Sequence, residues 1–297
     1  MPKLFTGSCV ALVTPFTSDG SAVNYESLEN LIKFHLENQT DALVLSATTG
    51  EGPTQSQEEK ESVLKFTLEK VNGKIPVLVS TGGNNTGSVI ENSQRAETLG
   101  ANGLLVITPY YNKTSQSGLI AHFKAIAEST SLPIIMYNVP SRTGLNMLPA
   151  TVAEVAKIKN IIGTKEASGD ISQVTKIIQL TKDIPDFDVI SGEDGLLFPI
   201  LALGGIGIIA TTGNILPKAF HDICAEFFAG NIEASRDLQL KVFSTVEAMF
   251  CEVNPIPIKT ALNLMGKNVG PLRLPLVPPS DASLEKIKTA LKEWHLI

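Results

Sequence analysis

The stretch GLLFPILALGGIGIIATTGNILP, residues 195–217, carries no charge over a span long enough to cross a membrane. Read as one span, it makes this a membrane protein; read as punctuated segments, it makes the chain an α/β fold. Pro199, the Gly204-Gly205 pair and the polar run Thr211-Thr212-Gly213-Asn214 cut it into a short helix, a turn and a strand, GIGIIATTG (205–213). The spacing Gly205-x-Gly207-x-x-Ala210 also matches a relaxed dinucleotide fingerprint. Its glycines open a strand instead of leading one into a helix, so the context for that motif is wrong.

Working outward, seven further short apolar runs read as strands: SCVALVTPF (8–16), ALVLSATTG (42–50), PVLVSTGG (76–83), GLLVITPYY (103–111), PIIMYNVPS (133–141), IIGTKEASG (161–169) and FDVISGE (187–193). Between them lie stretches such as YESLENLIKFHLEN and GLIAHFKAIAEST, with apolar residues three and four apart. Strand starts roughly 20 to 35 residues apart, each run feeding a helix, predict parallel strands joined by right-handed crossovers. A closed (β/α)8 TIM barrel fits best, with a doubly wound open sheet as the alternative. The runs are near-continuously apolar, as in strands covered on both faces.

After the eighth unit the pattern is helical alone: NIEASRDLQLKVFSTVEAMF, NPIPIKTALNLMG and SDASLEKIKTALKEWHLI, the last capped by Ser280 or Asp281 behind Pro278-Pro279. The expected organisation is a barrel over residues 1–230 and a C-terminal helical appendage, 231–297, packed on it.

A net charge of −6, without a concentrated basic surface, argues against a nucleic-acid partner. Three scattered cysteines, Cys9, Cys224 and Cys251, with no CxxC, read as free core thiols in a reducing cytoplasm. The start MPKLFTGSCVALVTPF lacks the apolar centre of a signal peptide. The four histidines lie in predicted helices without ligand spacing, so no metal is expected.

Chemistry in such a barrel sits where strands end. Those ends hold Thr48-Thr49-Gly50-Glu51-Gly52, Thr108-Pro109-Tyr110-Tyr111-Asn112, Tyr137-Asn138 with Arg142 beyond, Lys165-Glu166, Ser191-Gly192-Glu193 and Thr211-Thr212. Lys165 is the candidate nucleophile, because burial makes an amine deprotonate more easily and suits it to imine chemistry; the bland reading is a strand-end lysine paired to a carboxylate. Glu166 points to the other side of the strand, which removes it as the obvious partner. Tyr137 is either a proton donor and acceptor or an interfacial tyrosine with a wet hydroxyl. Thr48 and Thr49, followed by Gly50, suit a bound carboxylate or are ordinary strand residues. Arg142 is a bidentate carboxylate clamp or a solvated loop charge.

Taken together, TTGEG (48–52), TPYYNK (108–113), YNVPSRTG (137–144), GTKEASG (163–169), NPIPIK (254–259) and RLPL (273–276) closely resemble the dihydrodipicolinate synthase family, within the pyruvate-dependent class I aldolase (N-acetylneuraminate lyase) superfamily. The resemblance covers essentially the whole chain. It implies a lyase of diaminopimelate and lysine biosynthesis that condenses pyruvate with L-aspartate 4-semialdehyde to 4-hydroxy-tetrahydrodipicolinate. No cofactor is implied beyond the Schiff base between Lys165 and pyruvate. Tyr137 would move protons in a relay with Thr48 and Tyr111, the last reaching a neighbouring subunit's site. Thr49 would bind the pyruvate carboxylate, Gly192 and Ile209 would line the pyruvate side by their backbone, and Arg142 would meet the semialdehyde carboxylate. The expected assembly is a homotetramer, a dimer of dimers, in the cytoplasm and without a membrane.

Two rival readings remain at this point. A sibling aldolase acting on N-acetylneuraminate or a 2-keto-3-deoxy sugar acid shares TTGE and the imine lysine, but generally lacks an arginine at the position of Arg142. A catalytically silent small-acid binding protein would need the reactive set to be idle. The chain departs from lysine-inhibited members at an interface pocket where Asn84 and Tyr110 are kept but Gln57, Lys60 and Ser88 replace histidines and a glutamate. A cation at Lys60 opposes a cationic ligand, so the expected result is weak or absent inhibition by lysine. Potent inhibition at low lysine concentration in a steady-state assay would overturn that expectation.

Overall fold

Every one of the eight apolar runs forms a strand. In the computed structural model, which describes residues 3–297, they are β1 (Gly7–Ala11), β2 (Ala42–Leu45), β3 (Val77–Ser80), β4 (Gly103–Ile107), β5 (Ile134–Asn138), β6 (Ile161–Glu166), β7 (Asp188–Ser191) and β8 (Gly207–Ala210). They follow one another in chain order as a closed barrel, so the open sheet is set aside. Strands β1, β2, β5 and β8 are buried at every residue. That burial explains why their sequences run apolar without alternation.

The uncharged stretch folds as its punctuation predicts, into the helix Leu197–Ala202, a turn at Gly204 and then β8. Among the described residues, no helix is long and apolar enough to cross a membrane. A Cβ on Gly207 would lie 2.0 Å from the Gly7 carbonyl oxygen. The glycine at the start of β8 is therefore a backbone-packing requirement, not a phosphate-binding one.

Contacts gather into two compact units. The first comprises the chain up to Gly7 together with Pro76–Ile209. Within it β5 and β6 are parallel neighbours in a register that pairs Tyr137 with Lys165 and Asn138 with Glu166. Behind β6, the Asp170 side chain accepts from the Ser172 and Gln173 backbone N–H groups and starts the helix Ile171–Thr181.

The second unit comprises Ser8–Ile75 and Ala210–Ile297. Its helix Gln57–Val71 opens with a capping box: Ser56 accepts from the Glu59 N–H while the Glu59 carboxylate accepts from the Ser56 N–H. The three predicted C-terminal helices are Ile232–Met249, Ile256–Leu264 and Asp281–Glu293. The first packs on Pro217–Phe228, and the last packs on the other two. Ser280, not Asp281, is the cap of the last helix and accepts from the Ser283 N–H. Cys9 and Cys224 are buried core thiols, as expected, whereas Cys251 is only half-buried just beyond a helix end. Burial raises the Cys224 thiol far above its ordinary range.

Candidate active site

Lys165 and Tyr137 end neighbouring strands in direct register, and register partners in parallel strands send their side chains to the same side. Both are buried, with only 5% and 8% of their surfaces exposed. The Lys165 Nζ lies 4.3 Å from the centroid of the Tyr137 ring, within cation–π range. Among the described residues, no carboxylate lies within ion-pairing distance of Lys165. The bland reading required such a partner, so the geometry leaves Lys165 as a buried amine against a phenol.

Glu166 points away from that pair, as the strand alternation predicts. Its two carboxylate oxygens each accept from Asn138 Nδ2 at 3.1 Å, and Oε1 also accepts from the Ser168 N–H at 2.9 Å and Gln173 Nε2 at 3.2 Å. Burial raises its carboxyl above the usual range, against the lowering effect of those donors. Asn138 in turn donates to Asn146 Oδ1 at 2.8 Å and accepts from the Met147 N–H at 3.0 Å. The residues next to the reactive pair thus anchor the loop that carries Arg142. This network was not read from the sequence; the amides Asn138, Asn146 and Gln173 look like ordinary polar residues until their burial is known.

Arg142 lies exposed in the short helix Pro140–Thr143. Glu193, just past β7, has its carboxyl raised by burial and by Asp194, and lowered by Lys165 and Arg142. Gly192 donates its N–H to the Glu166 carbonyl at 2.7 Å, and Ile209 is fully buried in β8. Tyr111 sits in left-handed backbone at φ 67° with its side chain 90% exposed. It makes no hydrogen bond or ring contact among the described residues. Its loop is pinned instead through Asn84, whose Nδ2 donates to the Tyr110 carbonyl while its own carbonyl accepts from Asn112 Nδ2.

In the second unit, Thr48 is half-buried and Thr49 buried. The turn they enter doubles back sharply: a Cβ on Gly52 would lie 2.0 Å from the Ser46 carbonyl oxygen. The Thr49 Oγ1 accepts from Asn254 Nδ2 at 2.9 Å and lies 3.4 Å from the Thr211 Oγ1. Two residues on, Glu51 in left-handed backbone accepts from Lys259 Nζ at 2.5 Å and from the Arg273 backbone N–H at 2.9 Å. The Lys259 and Glu51 side chains are each 1% exposed. Burial lowers the Lys259 ammonium to about 8, against Glu51, which raises it. Arg273 clamps Glu59 with two hydrogen bonds of 2.6 and 2.7 Å, and both it and Lys259 stack on the buried Phe16 ring, 3.9 and 4.0 Å from its centroid. Sequence reading placed NPIPIK and RLPL in a motif without seeing this ion pair. The available signal was Lys259 itself, a charge three residues from both Ile256 and Leu262 on an apolar helix.

A cavity of about 220 Å³ lined by Leu4, Phe5, Ile135, Ile162 and Ile206 lies at the opposite, N-terminal ends of the strands and holds no residue of this set. Among the described residues, no group of three or more His, Cys, Asp or Glu is placed to hold a metal ion.

A sequence model of the dihydrodipicolinate synthetase family matches residues 4–294. The chain belongs to the dihydrodipicolinate synthetase family. Within that family it is 51% identical over 295 residues to 4-hydroxy-tetrahydrodipicolinate synthase 1 of Clostridium acetobutylicum, covering 99% of each chain. Its structure is similar to that of dihydrodipicolinate synthase from Thermotoga maritima, with a TM-score of 0.97, 47% identity and 99% and 100% coverage of the two chains. It also resembles the chloride-inhibited family member from Acinetobacter baumannii in complex with pyruvate, with a TM-score of 0.94, 40% identity and 98% and 99% coverage. The family resemblance carried by the sequence motifs therefore holds over the full length, barrel and C-terminal helices alike.

Proposed function

We propose that this protein condenses pyruvate with L-aspartate 4-semialdehyde to 4-hydroxy-tetrahydrodipicolinate, as a lyase of lysine and diaminopimelate biosynthesis. The observation that carries the reading is the buried Lys165 amine, 4.3 Å from the Tyr137 ring and with no carboxylate within ion-pairing distance among the described residues. An amine in that setting adds to the keto carbon of pyruvate; loss of water gives the iminium. The positive nitrogen then takes up the electron pair released when a methyl proton leaves, forming an enamine. The enamine carbon bonds to the aldehyde carbon, and the resulting alkoxide is protonated. Finally the amino group of the semialdehyde attacks the imine carbon and displaces Lys165, closing the ring. No bound cofactor is required in this sequence.

Tyr137 is the group that hands protons to and from the reacting oxygens, since it is the phenol against Lys165. Replacing it with phenylalanine is expected to lower kcat by about 10²- to 10⁴-fold with the Lys165 imine still trappable at long incubation. A fall of less than fivefold in steady-state turnover would remove Tyr137 from that role.

The family resemblance supplies the remaining assignments. Thr48 and Tyr111 complete the proton relay, Thr49 binds the pyruvate carboxylate, the backbone at Gly192 and Ile209 lines the pyruvate side, and Arg142 meets the carboxylate of the semialdehyde. Tyr111 serves a second subunit in a homotetramer built as a dimer of dimers. Its 90% exposure on strained, Asn84-pinned backbone supports that role, because a large aromatic held out by such a loop fits a partner surface. The three unbridged cysteines support a cytoplasmic site.

The test is reduction with borohydride in the presence of pyruvate, followed by peptide mass spectrometry. The expected adduct is pyruvate-sized, sits on Lys165, and is discharged before reduction by aspartate semialdehyde but not by N-acetylmannosamine. Discharge by N-acetylmannosamine would move the protein to the sugar-acid aldolases, and no adduct would make it a silent member.

A further inference from the structure

The Thr49 hydroxyl has one proton and two lone pairs, and its surroundings determine which of these a ligand meets. Asn254 Nδ2 donates into its oxygen at 2.9 Å. The same amide group lies 3.4 Å from the Thr211 Oγ1, and the two threonine oxygens are 3.4 Å apart. With Asn254 filling a lone pair, the Thr49 proton has, among the described residues, only that long approach to Thr211 as an internal alternative. The hydroxyl is thereby set as a donor, the polarity a carboxylate needs. An aspartate or a backbone carbonyl in the place of the Asn254 amide would draw the proton and leave lone pairs facing the ligand.

The placement of Asn254 is built into the fold. It immediately precedes the segment that forms the helix Ile256–Leu264, and Lys259 of that helix grips Glu51, two residues beyond Thr49, at 2.5 Å. Two side chains of one C-terminal segment therefore hold two side chains of one turn. Both Asn254 and Thr49 are buried, so water does not compete for the contact.

We propose that Asn254 is a positioning residue that fixes the hydrogen-bond polarity of Thr49 and so tunes the affinity for the carboxylate of the 2-keto acid substrate, an inference that rests on the imine reading above. Asn254 acts through Thr49 and takes no part in bond making. Its removal should weaken pyruvate binding while sparing the chemistry that follows.

The experiment measures borohydride trapping on Lys165 as a function of keto-compound concentration, for pyruvate and for acetone, which lacks the carboxylate, in the full-length protein. Asn254→Leu is expected to raise the half-saturating pyruvate concentration about tenfold, leave that for acetone unchanged, and alter kcat for the condensation by less than about threefold. In a Thr49→Val background the same substitution should add nothing further. If Asn254→Leu does not fold, the nearly isosteric Asn254→Asp decides by the same contrast, with a larger pyruvate shift expected because its carboxylate captures the Thr49 proton. An unchanged pyruvate half-saturation, or equal shifts for pyruvate and acetone, overturns the role of Asn254 while leaving the imine intact. Failure of the unsubstituted protein to trap pyruvate on Lys165 overturns the underlying reading and this inference with it.

Discussion

Substituting Lys165 with methionine is expected to lower condensation of pyruvate with aspartate semialdehyde by at least about 10³-fold and to eliminate the borohydride-trapped adduct. In the proposed mechanism the lysine nitrogen is the atom that becomes covalently bonded, and no other step can proceed without the iminium to accept electrons, so the loss is large. The fold should survive the change. Lys165 has no carboxylate within ion-pairing distance among the described residues, and Glu193, whose carboxyl it lowers, keeps the same influence from Arg142. What is lost is one cation–π contact with Tyr137, worth about 0.5 to 2 kcal/mol. Unfolding midpoints, adduct mass and turnover therefore separate cleanly. Retention of a full-size adduct on another lysine in Lys165→Met would overturn the assignment. Lys165→Arg should be equally inactive, since a guanidinium stays protonated and cannot attack a carbonyl.

Lys259→Met should produce the opposite pattern, a large loss of stability rather than of one chemical step. Lys259 and Glu51 are paired at 2.5 Å with both side chains 1% exposed. Removing one member leaves the Glu51 carboxylate in the interior without its ion-pair partner, held by the Arg273 N–H, a loss of about 3 to 5 kcal/mol. Adding Glu51→Gln removes the orphaned charge and keeps an acceptor for Arg273, and the double variant should return to within about 1 kcal/mol of the unsubstituted protein. Chemical denaturation at matched protein concentration measures both.

The Lys259 shift adds a pH signature. Its ammonium is depressed from 10.5 to about 8 in the folded protein, so between those values the unfolded chain binds more protons than the folded one. Stability should therefore gain a component as pH rises through that window, and Lys259→Met should lack it. Single-variant losses below 1 kcal/mol would mean that the pair is not what holds the TTGEG turn.

The eight strand runs and the three C-terminal helices followed from the sequence alone, whereas closure into a barrel rather than an open doubly wound sheet was decided by the structure. Hydrophobic period and Gly/Pro punctuation are local properties, and at 195–217 the punctuation was sufficient to turn an uncharged stretch into the helix Leu197–Ala202 and β8. Lys165 was legible for a related reason: a lysine within an otherwise apolar strand contradicts its surroundings, and its motif assigned a chemistry to that contradiction. The tertiary structure alone decided what each polar group touches. That Lys165 has the Tyr137 ring against it depends on the β5–β6 register, which sequence spacing leaves open. Glu166 turns into a ring of amides, Asn254 reaches Thr49 across 205 residues, and Lys259 reaches Glu51 across 208. Partners that far apart in the chain leave no periodic trace. Hydrogen bonds and ion pairs act over about 3 Å, so only the folded path of the backbone brings their donors and acceptors together.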